Sequence, residues 1–237
     1  GRGKEVLAVI RNAELILILI DIFHPGHLNA LLKEVYDSDV RINQKKPDIK
    51  IVKASRGGIN IGATVKLTKI DKNTIEDVLR EFKITNANIV IRQDIDVDQL
   101  IDVIEENKVY LPAIVVLNKI DMVGKEDLEK AKIKIKPDIC ISAEKKAGIE
   151  ELKELIYRKL RIISIYLKEF NKKADMDEPL IMWEGSTLRD LCMKLHKDFA
   201  DKFKFARIWG SSRFPGQHIT KIDYILKEGD IVELRLK

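Results

Sequence analysis

The sequence is poor in the residues that mark several classes of protein. Two cysteines in 237 residues are too few for a disulfide framework, which favours a reducing, cytoplasmic setting. Six prolines and twelve glycines beside 45% hydrophobic residues exclude collagen-like and globally disordered chains. The longest apolar run, residues 15–20, is too short to cross a bilayer, so we expect no membrane partner. A net charge of +5 suits a polyanionic partner without demanding one.

Apolar runs alternate with amphipathic helical patterns through the first two thirds of the chain. Buried strands are predicted at residues 15–22, 110–117 and 138–141, where uninterrupted apolar runs are typical of strands covered on both faces. Helical periodicity predicts the intervening helices at residues 28–36, 97–107, 125–132 and 148–161. Asp96 is the predicted N-cap of the second of these helices. This alternation is typical of a doubly wound α/β domain with a parallel sheet.

Residues 41–96 form a predicted α+β insert within this pattern. They contain a predicted helix at 74–82, capped by Asn73 or Thr74, and a strand at 87–92. Residues 41–69 hold eight basic residues and one acidic residue, so they are candidates for contact with RNA phosphates. A solvated charged face explains the same residues equally well. Four of them, the insert lysines, are the candidate RNA contacts: Lys45, Lys46, Lys50 and Lys53.

From residue 162 the pattern changes to four short strands and one helix, residues 187–198. This predicts a separate small domain of ubiquitin-like β-grasp type. Basic residues alternate there with Phe203, Phe205 and Trp209, a pattern found in nucleic-acid-binding surfaces. We expect Phe205 and Trp209 to be core residues instead. The predicted domains are therefore a partial core at residues 1–40 and 97–161, the insert at 41–96, and the C-terminal domain at 162–237.

An N-K-x-D motif, Asn118, Lys119 and Asp121, follows the predicted strand 110–117 directly. Open α/β sheets bind ligands at the carboxyl ends of their strands. The Asp121 carboxylate can accept two N–H bonds from the N1 and N2 edge of guanine, whereas adenine presents the wrong donors. Asn118 can bridge neighbouring loops, and the Lys119 stem can lie along the plane of the base. The motif therefore predicts a guanine site.

A second motif, Ser142-Ala143-Glu144, lies 21 residues after Asp121 and ends the predicted strand 138–141. The N–H of Ala143 can meet the guanine O6, and Ser142 can brace Asp121. By itself the tripeptide is also an ordinary strand-to-helix turn with a serine cap. Its position after the N-K-x-D motif favours the guanine interpretation.

Together these motifs resemble the developmentally regulated GTP-binding (DRG) subfamily of Obg-type GTPases. The resemblance extends over GRGKEVLAVIRNAELILILID, KPDIKIVKASRGGINIGATVKLT and EFKITNANIVIRQDIDVDQLIDVI, and over FKFARIWGSSRFPGQ with EGDIVELRLK, which is similar to a TGS domain. It implies a P-loop-GTPase-type core, binding of GTP and GDP with Mg²⁺, and GTP hydrolysis. It also implies a role in translation, docking to the ribosome or RNA, and a DRG-family regulatory protein as partner.

The phosphate-binding part of such a site is not found in the sequence. A P-loop needs G-x-x-x-x-G-K-[ST], and the nearest pattern, Gly57 to Thr64, has Ala63 at the lysine position. We interpret that segment as a glycine-rich hairpin or turn. Because the sequence begins with glycine and not methionine, we expect further residues before Gly1, with the P-loop, the Asp-x-x-Gly of switch II and the Mg²⁺ ligands among them. We interpret residues 1–4, which include Arg2 and Lys4, as a mobile switch tail or a frayed end.

Other candidate sites are weaker. Asp21, His24 and His27 have a short spacing and no further ligand to complete a metal set, so we interpret them as a loop after a strand. His196 is expected at the surface of its helix. Two functional hypotheses remain: a GTPase of the DRG type, whose 237 residues here do not hydrolyse GTP by themselves, or an RNA- or ribosome-binding module without catalytic activity. The residues upstream of Gly1 discriminate between them.

Overall fold

The computed structural model describes residues 9–237. They divide into two compact units, the first ending at Leu152 and the second formed by Lys153–Lys237. Residues 1–4, interpreted above as a switch tail or a frayed end, lie outside the described residues. Among residues 9–237, no helix combines the length and apolar character that crossing a membrane requires.

The first unit is built on a parallel sheet with the order β1-β7-β8. Its strands are β1 (Ile16–Asp21), β7 (Ala113–Asn118) and β8 (Ile139–Cys140). Helices α1 (His27–Asp37) and α4 (Lys125–Ile135) follow β1 and β7, with a short 3₁₀ helix at Ile120–Met122. Helix α5 (Ile149–Leu160) follows β8. These parallel strands with connecting helices confirm the predicted α/β class.

The single strand predicted at residues 110–117 is two strands. Proline has no N–H to give to a sheet, and Pro112 separates β6 (Val109–Leu111) from β7. Strand β6 pairs in parallel with β2 (Val40–Ile42), while β7 pairs with β1 and β8. The break therefore divides one apolar run between two sheets. Val40 of β2 and Leu111 of β6 nevertheless pack in the same apolar cluster as residues of β1.

Strand β1 is buried on one face only. Ile16, Ile18 and Ile20 lie in the apolar cluster, whereas Leu17 and Leu19 are 45% and 55% exposed. Among the described residues, β1 is also the edge strand of its sheet. The expectation that residues 15–22 are covered on both faces is therefore wrong for the part of the chain that the structure describes.

The insert is a three-stranded sheet with two helices. Its strands are β3 (Ile49–Lys53), β4 (Ile59–Ala63) and β5 (Ala87–Ile91), and its helices are α2 (Lys72–Glu81) and α3 (Val97–Glu105). The order is β3-β5-β4, so β3 and β4 lie on either side of β5. The glycine-rich segment is thus a turn at Gly57 and Gly58, both with positive φ, followed by a strand, and not a hairpin.

The predicted N-cap is wrong for the first insert helix and confirmed for the second. The N-cap of α2 is Asp71, whose side chain accepts from the Thr74 N–H, so the prediction of Asn73 or Thr74 is wrong. Asp96 caps α3 as predicted, in a capping box with Gln99. Leu100 of α3 packs in the apolar cluster of the insert. The structure therefore places this helix with the insert, although the predicted boundary at residue 97 assigned it to the core.

The second unit is a five-stranded sheet with the order β10-β9-β13-β11-β12, on which helix α6 (Leu188–Leu195) packs. Its strands are β9 (Ile162–Leu167), β10 (Leu180–Trp183), β11 (Phe203–Trp209), β12 (Gln217–Ile219) and β13 (Ile231–Leu236). The predicted helix 187–198 ends at Leu195, and a further short helix, α7 (Phe199–Lys202), follows. The arrangement confirms the β-grasp prediction; strand β12, three residues long, was not predicted.

Two aromatic residues of β11 lie outside the core. The buried residues of this strand are Phe203, Ala206 and Ile208, because the register shifts between Phe203 and Phe205. Phe205 and Trp209 are half-buried on the opposite, outward face. The prediction that both are core residues is therefore wrong.

Candidate functional site

The loops after β7 and β8 enclose a cavity of about 320 Å³. All five residues predicted for guanine binding line this cavity: Asn118, Lys119, Asp121, Ser142 and Ala143. The structure adds three more lining residues: Phe23, Met122 and Glu144. The cavity lies at the carboxyl end of the parallel sheet, where open α/β folds bind ligands.

Asn118 connects the two loops. Its Oδ1 accepts from the Lys119 N–H at 2.8 Å and from the Ala143 N–H at 3.1 Å. This is the bridge expected of Asn118. This contact already uses the Ala143 N–H. A guanine O6 atom would therefore accept from that N–H together with Asn118 Oδ1, or in its place.

Asp121 is a largely buried carboxylate, with a side chain 11% exposed. The hydrogen bond from Ser142 is the main cause that lowers the pKa of Asp121, and the positive charge of Lys145 adds to it. The Lys145 Nζ lies 3.8 Å from Asp121 Oδ2. At neutral pH Asp121 is therefore ionised and purely an acceptor, as recognition of two guanine N–H groups requires.

Lys119 is held in place by Asp21, at the end of β1. The Lys119 Nζ lies 2.7 Å from Asp21 Oδ2, and the other carboxylate oxygen of Asp21 accepts from the Phe23 N–H at 2.9 Å. The hydrogen bond from Lys119 is the largest of the effects that lower the pKa of Asp21. Asp21 thus anchors both Lys119 and the residue whose exposed ring lines the cavity.

Lys119 also has an uncommon backbone conformation, with φ of 65° and ψ of 34°. The conformation turns the chain from β7 into the 3₁₀ helix that carries Asp121.

The loop after β8 is closed by its own backbone. The N–H of Ser142 donates to the Ala147 carbonyl at 3.0 Å, and the Lys145 N–H donates to Ser142 Oγ at 3.1 Å. Gly148 follows with φ of 74°, and a Cβ there would lie 2.6 Å from the Cys140 carbonyl oxygen. Only glycine fits at this position, so it fixes where the loop returns to helix α5.

The roles of Asp21 and Phe23 were not predicted from the sequence. The sequence pattern around Asp21 offers it only as a metal ligand beside His24 and His27. The parallel register pairs Asp21 with Asn118, and strands that are neighbours in a parallel sheet end at the same edge. The pairing of β1 with β7 would have predicted that Asp21 lies beside Asn118. The sequence does not show that these two strands are neighbours.

The other candidate sites do not form in the described residues. No group of three or more His, Cys, Asp or Glu residues there is placed to hold a metal ion. The rings of His24 and His27 stack on each other at 5.1 Å, and Asp21 is engaged by Lys119. His196 is exposed just beyond α6, close to the surface position expected.

The insert lysines are all exposed, and none makes an ion pair within residues 9–237. Lys45 and Lys46 lie in the loop before β3, whereas Lys50 and Lys53 lie on β3. Strand alternation places these last two on opposite faces of the sheet, so the four do not form one flat patch. Arg41, counted among the basic residues of this segment, is buried against Asp102.

Comparison with known proteins agrees with the resemblance. The family model described as the C-terminal region of the MMR_HSR1 domain matches residues 56–162, and the TGS domain model matches residues 164–236. A GTP-binding protein of Methanocaldococcus jannaschii is 48% identical over the whole chain, which covers 62% of that relative. Developmentally regulated GTP-binding protein 1 of Xenopus laevis is 37% identical over 99% of the chain, which covers 64% of that protein.

The chain therefore spans slightly less than two thirds of the length of these curated relatives. Developmentally regulated GTP-binding protein 2 of Homo sapiens is a further relative, 31% identical over 99% of the chain. The resemblance inferred from the sequence motifs is confirmed: the chain is homologous along its length to the developmentally regulated GTP-binding proteins and ends in a TGS domain.

Proposed function

We propose that this chain carries the guanine-reading part of a DRG-type GTPase that acts in translation. The observation that carries the proposal is the ionised, largely buried Asp121 carboxylate in a cavity of about 320 Å³. The names of the relatives, which are GTP-binding proteins, support a guanine nucleotide as the ligand. We place the protein in the cytoplasm, in keeping with two free cysteines in the described chain.

Selectivity for guanine follows from the donors and acceptors of the cavity. In this proposal, the two oxygens of Asp121 accept from guanine N1 and N2, while Ser142 holds the carboxylate in place. The stem of Lys119, fixed at its tip by Asp21, lies along one face of the base, and the Phe23 ring flanks the cavity. Adenine has no N–H at N1 and no amino group at C2, so Asp121 would remain unpaired against it.

Hydrolysis needs groups outside this cavity. Mg²⁺ and a P-loop position and neutralise the phosphates of a nucleotide, and the described residues offer no acidic cluster for the ion. We propose that the remainder of the protein supplies both, so that GTP hydrolysis belongs to the whole protein. The 237 residues here contribute recognition and positioning of the base.

The alternative is an RNA- or ribosome-binding module without its own catalytic activity. The exposure of the insert lysines and their lack of ion pairs within the described chain favour contact with phosphates. Binding to RNA or the ribosome is compatible with GTP binding, and so is a DRG-family regulatory protein as a partner. The sequence upstream of Gly1 separates the two proposals, since G-x-x-x-x-G-K-[ST] and Asp-x-x-Gly there support the GTPase.

The test is Asp121→Asn in the protein that includes its phosphate-binding region. The new amide would face the guanine N2 amino group, donor against donor, at a cost of roughly 1–3 kcal/mol per unpaired group. Xanthine has a carbonyl at that position and would accept from the amide. We therefore expect the GTP-over-XTP preference to fall by about tenfold or more, measured by competition binding with GTP, XTP and ATP.

Asp127→Asn is the matched control, because Asp127 lies on α4 with an exposed side chain. It should leave the nucleotide preferences unchanged. If Asp121→Asn keeps both the GTP-over-XTP ratio and the thermal stability of the parent protein, Asp121 does not read the base and the proposal is wrong.

A further inference from the structure

Strand β10 has an open edge. In the order β10-β9-β13-β11-β12 it is an outer strand of its sheet among the described residues, and it pairs with β9 alone. Its residues Ile181 and Trp183 are 40% and 50% exposed. Proteins usually protect such edges with charge, proline or a covering segment, because an exposed apolar edge is a surface on which another strand can pair.

The backbone groups of Ile181 and Trp183 point to this open edge. The N–H of Glu184 donates to the Arg161 carbonyl at 2.7 Å, which makes these two a hydrogen-bonded pair of the antiparallel ladder. Hydrogen-bonded and non-hydrogen-bonded pairs alternate along such a ladder. In the register of β10 with β9, the N–H and C=O groups of Trp183 and Ile181 are therefore directed away from β9.

Ser164, the partner of Ile181 in the register, shows the same alternation from the other strand. Its N–H donates to Glu228 Oε2 at 2.8 Å, and its carbonyl accepts from the Gly229 N–H at 3.0 Å. Both backbone groups of Ser164 are thus used on the side of β9 away from β10. Ile181 and Ser164 therefore form a non-hydrogen-bonded pair.

The N–H groups of Ile181 and Trp183 are the available donors of the edge. The Trp183 carbonyl accepts from the Ser186 N–H at 3.0 Å, and the Ile181 carbonyl accepts from Lys194 Nζ. The two N–H groups make no hydrogen bond to the rest of the described chain. They lie two residues apart, about 7 Å along a strand, which is the spacing of alternate carbonyls in a second strand.

A groove of about 450 Å³ lies beside this edge. It is lined by residues of β10, of the turn after it and of helix α6: Met182, Trp183, Gly185, Ser186, Asp190 and Lys194. A strand paired with β10 would direct every second side chain toward this groove and the others toward the face that carries Ile181. Because both sides offer apolar surface, a run of consecutive apolar residues fits the edge.

Lys194 adds a charge requirement. It is exposed, and its ammonium group contacts the Ile181 carbonyl with no carboxylate of the described chain in an ion pair with it. Asp190 is engaged in the cap of α6, where it accepts from the Thr187 N–H at 2.7 Å and from its hydroxyl at 2.8 Å. A lysine on an edge hinders pairing with strands in general, whereas a carboxylate on the incoming strand would draw Lys194 to itself.

We propose that the edge of β10 and this groove bind an extended peptide segment of a partner protein by strand addition. The segment has a short run of Val, Ile or Leu beside an Asp or Glu. Its carbonyls accept from the Ile181 and Trp183 N–H groups, and its carboxylate binds Lys194. The four residues of β10 favour a peptide over a second copy of the chain, since a stable interface uses about 20–30 residues on each side.

The test uses the 237-residue chain and a fluorescein-labelled peptide with four alternating Val and Ile residues followed by three Glu. Binding is measured by fluorescence anisotropy. The peptide is then N-methylated at one apolar residue at a time, which replaces an N–H but keeps every side chain. In an added strand only alternate N–H groups face β10. We therefore expect the affinity to fall about fivefold or more at every second position and to change little at the others.

Lys194 is tested with a second peptide in which Gln replaces the three Glu. The unchanged protein should prefer the Glu peptide by about threefold, and Lys194→Gln should abolish that preference. Arg189→Gln is the matched control, because Arg189 is also exposed on α6 but pairs with Asp223. It should keep the preference.

Two further variants locate the peptide on the sheet. Trp209→Phe leaves Trp183 as the single tryptophan, and the emission of Trp183 should shift to shorter wavelength when the peptide binds. Ile181→Pro removes one N–H of the open edge without removing a hydrogen bond to β9, and it should weaken binding. Thermal unfolding shows whether this variant keeps its fold; the N-methylated peptides test the same contact with the protein unchanged.

Four results would overturn the proposal. These are no binding of the Glu peptide, N-methylation effects without a period of two, equal affinity of the Glu and Gln peptides for the unchanged protein, and a dimer in sedimentation that Ile181→Pro abolishes. The last result would assign the edge to a second copy of the chain. None of these measurements involves the guanine cavity, so they can fail while the Asp121→Asn experiment succeeds, and the reverse.

Discussion

A buried ion pair joins strand β2 to helix α3 and allows a quantitative test. Arg41 Nε lies 2.7 Å from Asp102 Oδ2, and Arg41 Nη2 donates to Asp102 Oδ1 at 2.8 Å. The two side chains are 5% and 6% exposed. Arg41 Nη1 also donates to the Tyr36 carbonyl at 2.9 Å, and the guanidinium lies 3.7 Å from the centroid of the Tyr36 ring. The pair is therefore bidentate, desolvated and hydrogen-bonded.

Asp102→Ala removes the carboxylate and leaves the guanidinium buried. Removing one partner of a buried pair costs about 3–5 kcal/mol, because an uncompensated charge stays in a medium of low polarity. This corresponds to a loss on the order of a hundredfold to several thousandfold in the folding equilibrium. Replacing both partners, in Arg41→Met with Asp102→Leu, removes the buried charge as well. We expect the double variant to be clearly more stable than Asp102→Ala.

The measurement is unfolding in urea, followed by far-UV circular dichroism and by tryptophan fluorescence. Both tryptophans lie in residues 153–237, so the fluorescence follows the second unit, and the circular dichroism follows both units. The surface pair of Arg80 and Glu76 on α2, at 3.0 Å, provides the control. Glu76→Ala should cost no more than about 0.5 kcal/mol.

A cost below about 1 kcal/mol for Asp102→Ala would show that no uncompensated charge remains buried in the variant. A double variant as unstable as the single one would show that the penalty comes from lost packing and not from an unpaired charge.

Four further predictions concern the cavity after β7 and β8, the insert and the hydrolysis of GTP. Asp21→Ala should weaken GTP binding by the whole protein several-fold, because Lys119 loses its anchor; unchanged affinity would show that Asp21 does not position it. Gly148→Ala should destabilise the first unit by about 1 kcal/mol or more, because of the positive φ and the short distance to the Cys140 carbonyl; an unshifted urea midpoint would contradict this. Changing the insert lysines to Glu should weaken RNA or ribosome binding and flatten its salt dependence; an unchanged slope would make them a solvated face. The 237-residue chain by itself should not hydrolyse GTP, and turnover that survives Lys119→Ala would disprove this.

Local patterns in the sequence were sufficient for the fold class, and they named five of the eight residues that line one cavity. Alternating apolar runs and helical periods predicted the parallel α/β part, and four short strands predicted the β-grasp unit. The N-K-x-D and Ser-Ala-Glu motifs predicted five residues that line one cavity. The predictions of the fold class and of the Asp96 cap succeeded because periodicity and capping act over a few residues, whereas guanine binding by the motif residues stays a prediction.

Tertiary structure decided which strands are neighbours and which faces are buried. Phe23 lines the cavity and Asp21 reaches Lys119 because β1 lies beside β7, a pairing between segments almost a hundred residues apart. Arg41 is one of the basic residues of segment 41–69, and nothing in the sequence distinguishes it from the exposed ones. It is buried because helix α3 brings Asp102 to it.

Strand β11 shows most clearly why the sequence does not determine which side chains of a strand are buried. Alternation along a strand predicts which residues share a face of the sheet, but it does not predict which face is covered by the core. The shift of register between Phe203 and Phe205 places Phe203 in the core and its aromatic neighbours Phe205 and Trp209 on the outward face. The sequence by itself thus determined the elements and the chemistry of the motifs, while packing between distant segments determined which of those side chains meet solvent and one another.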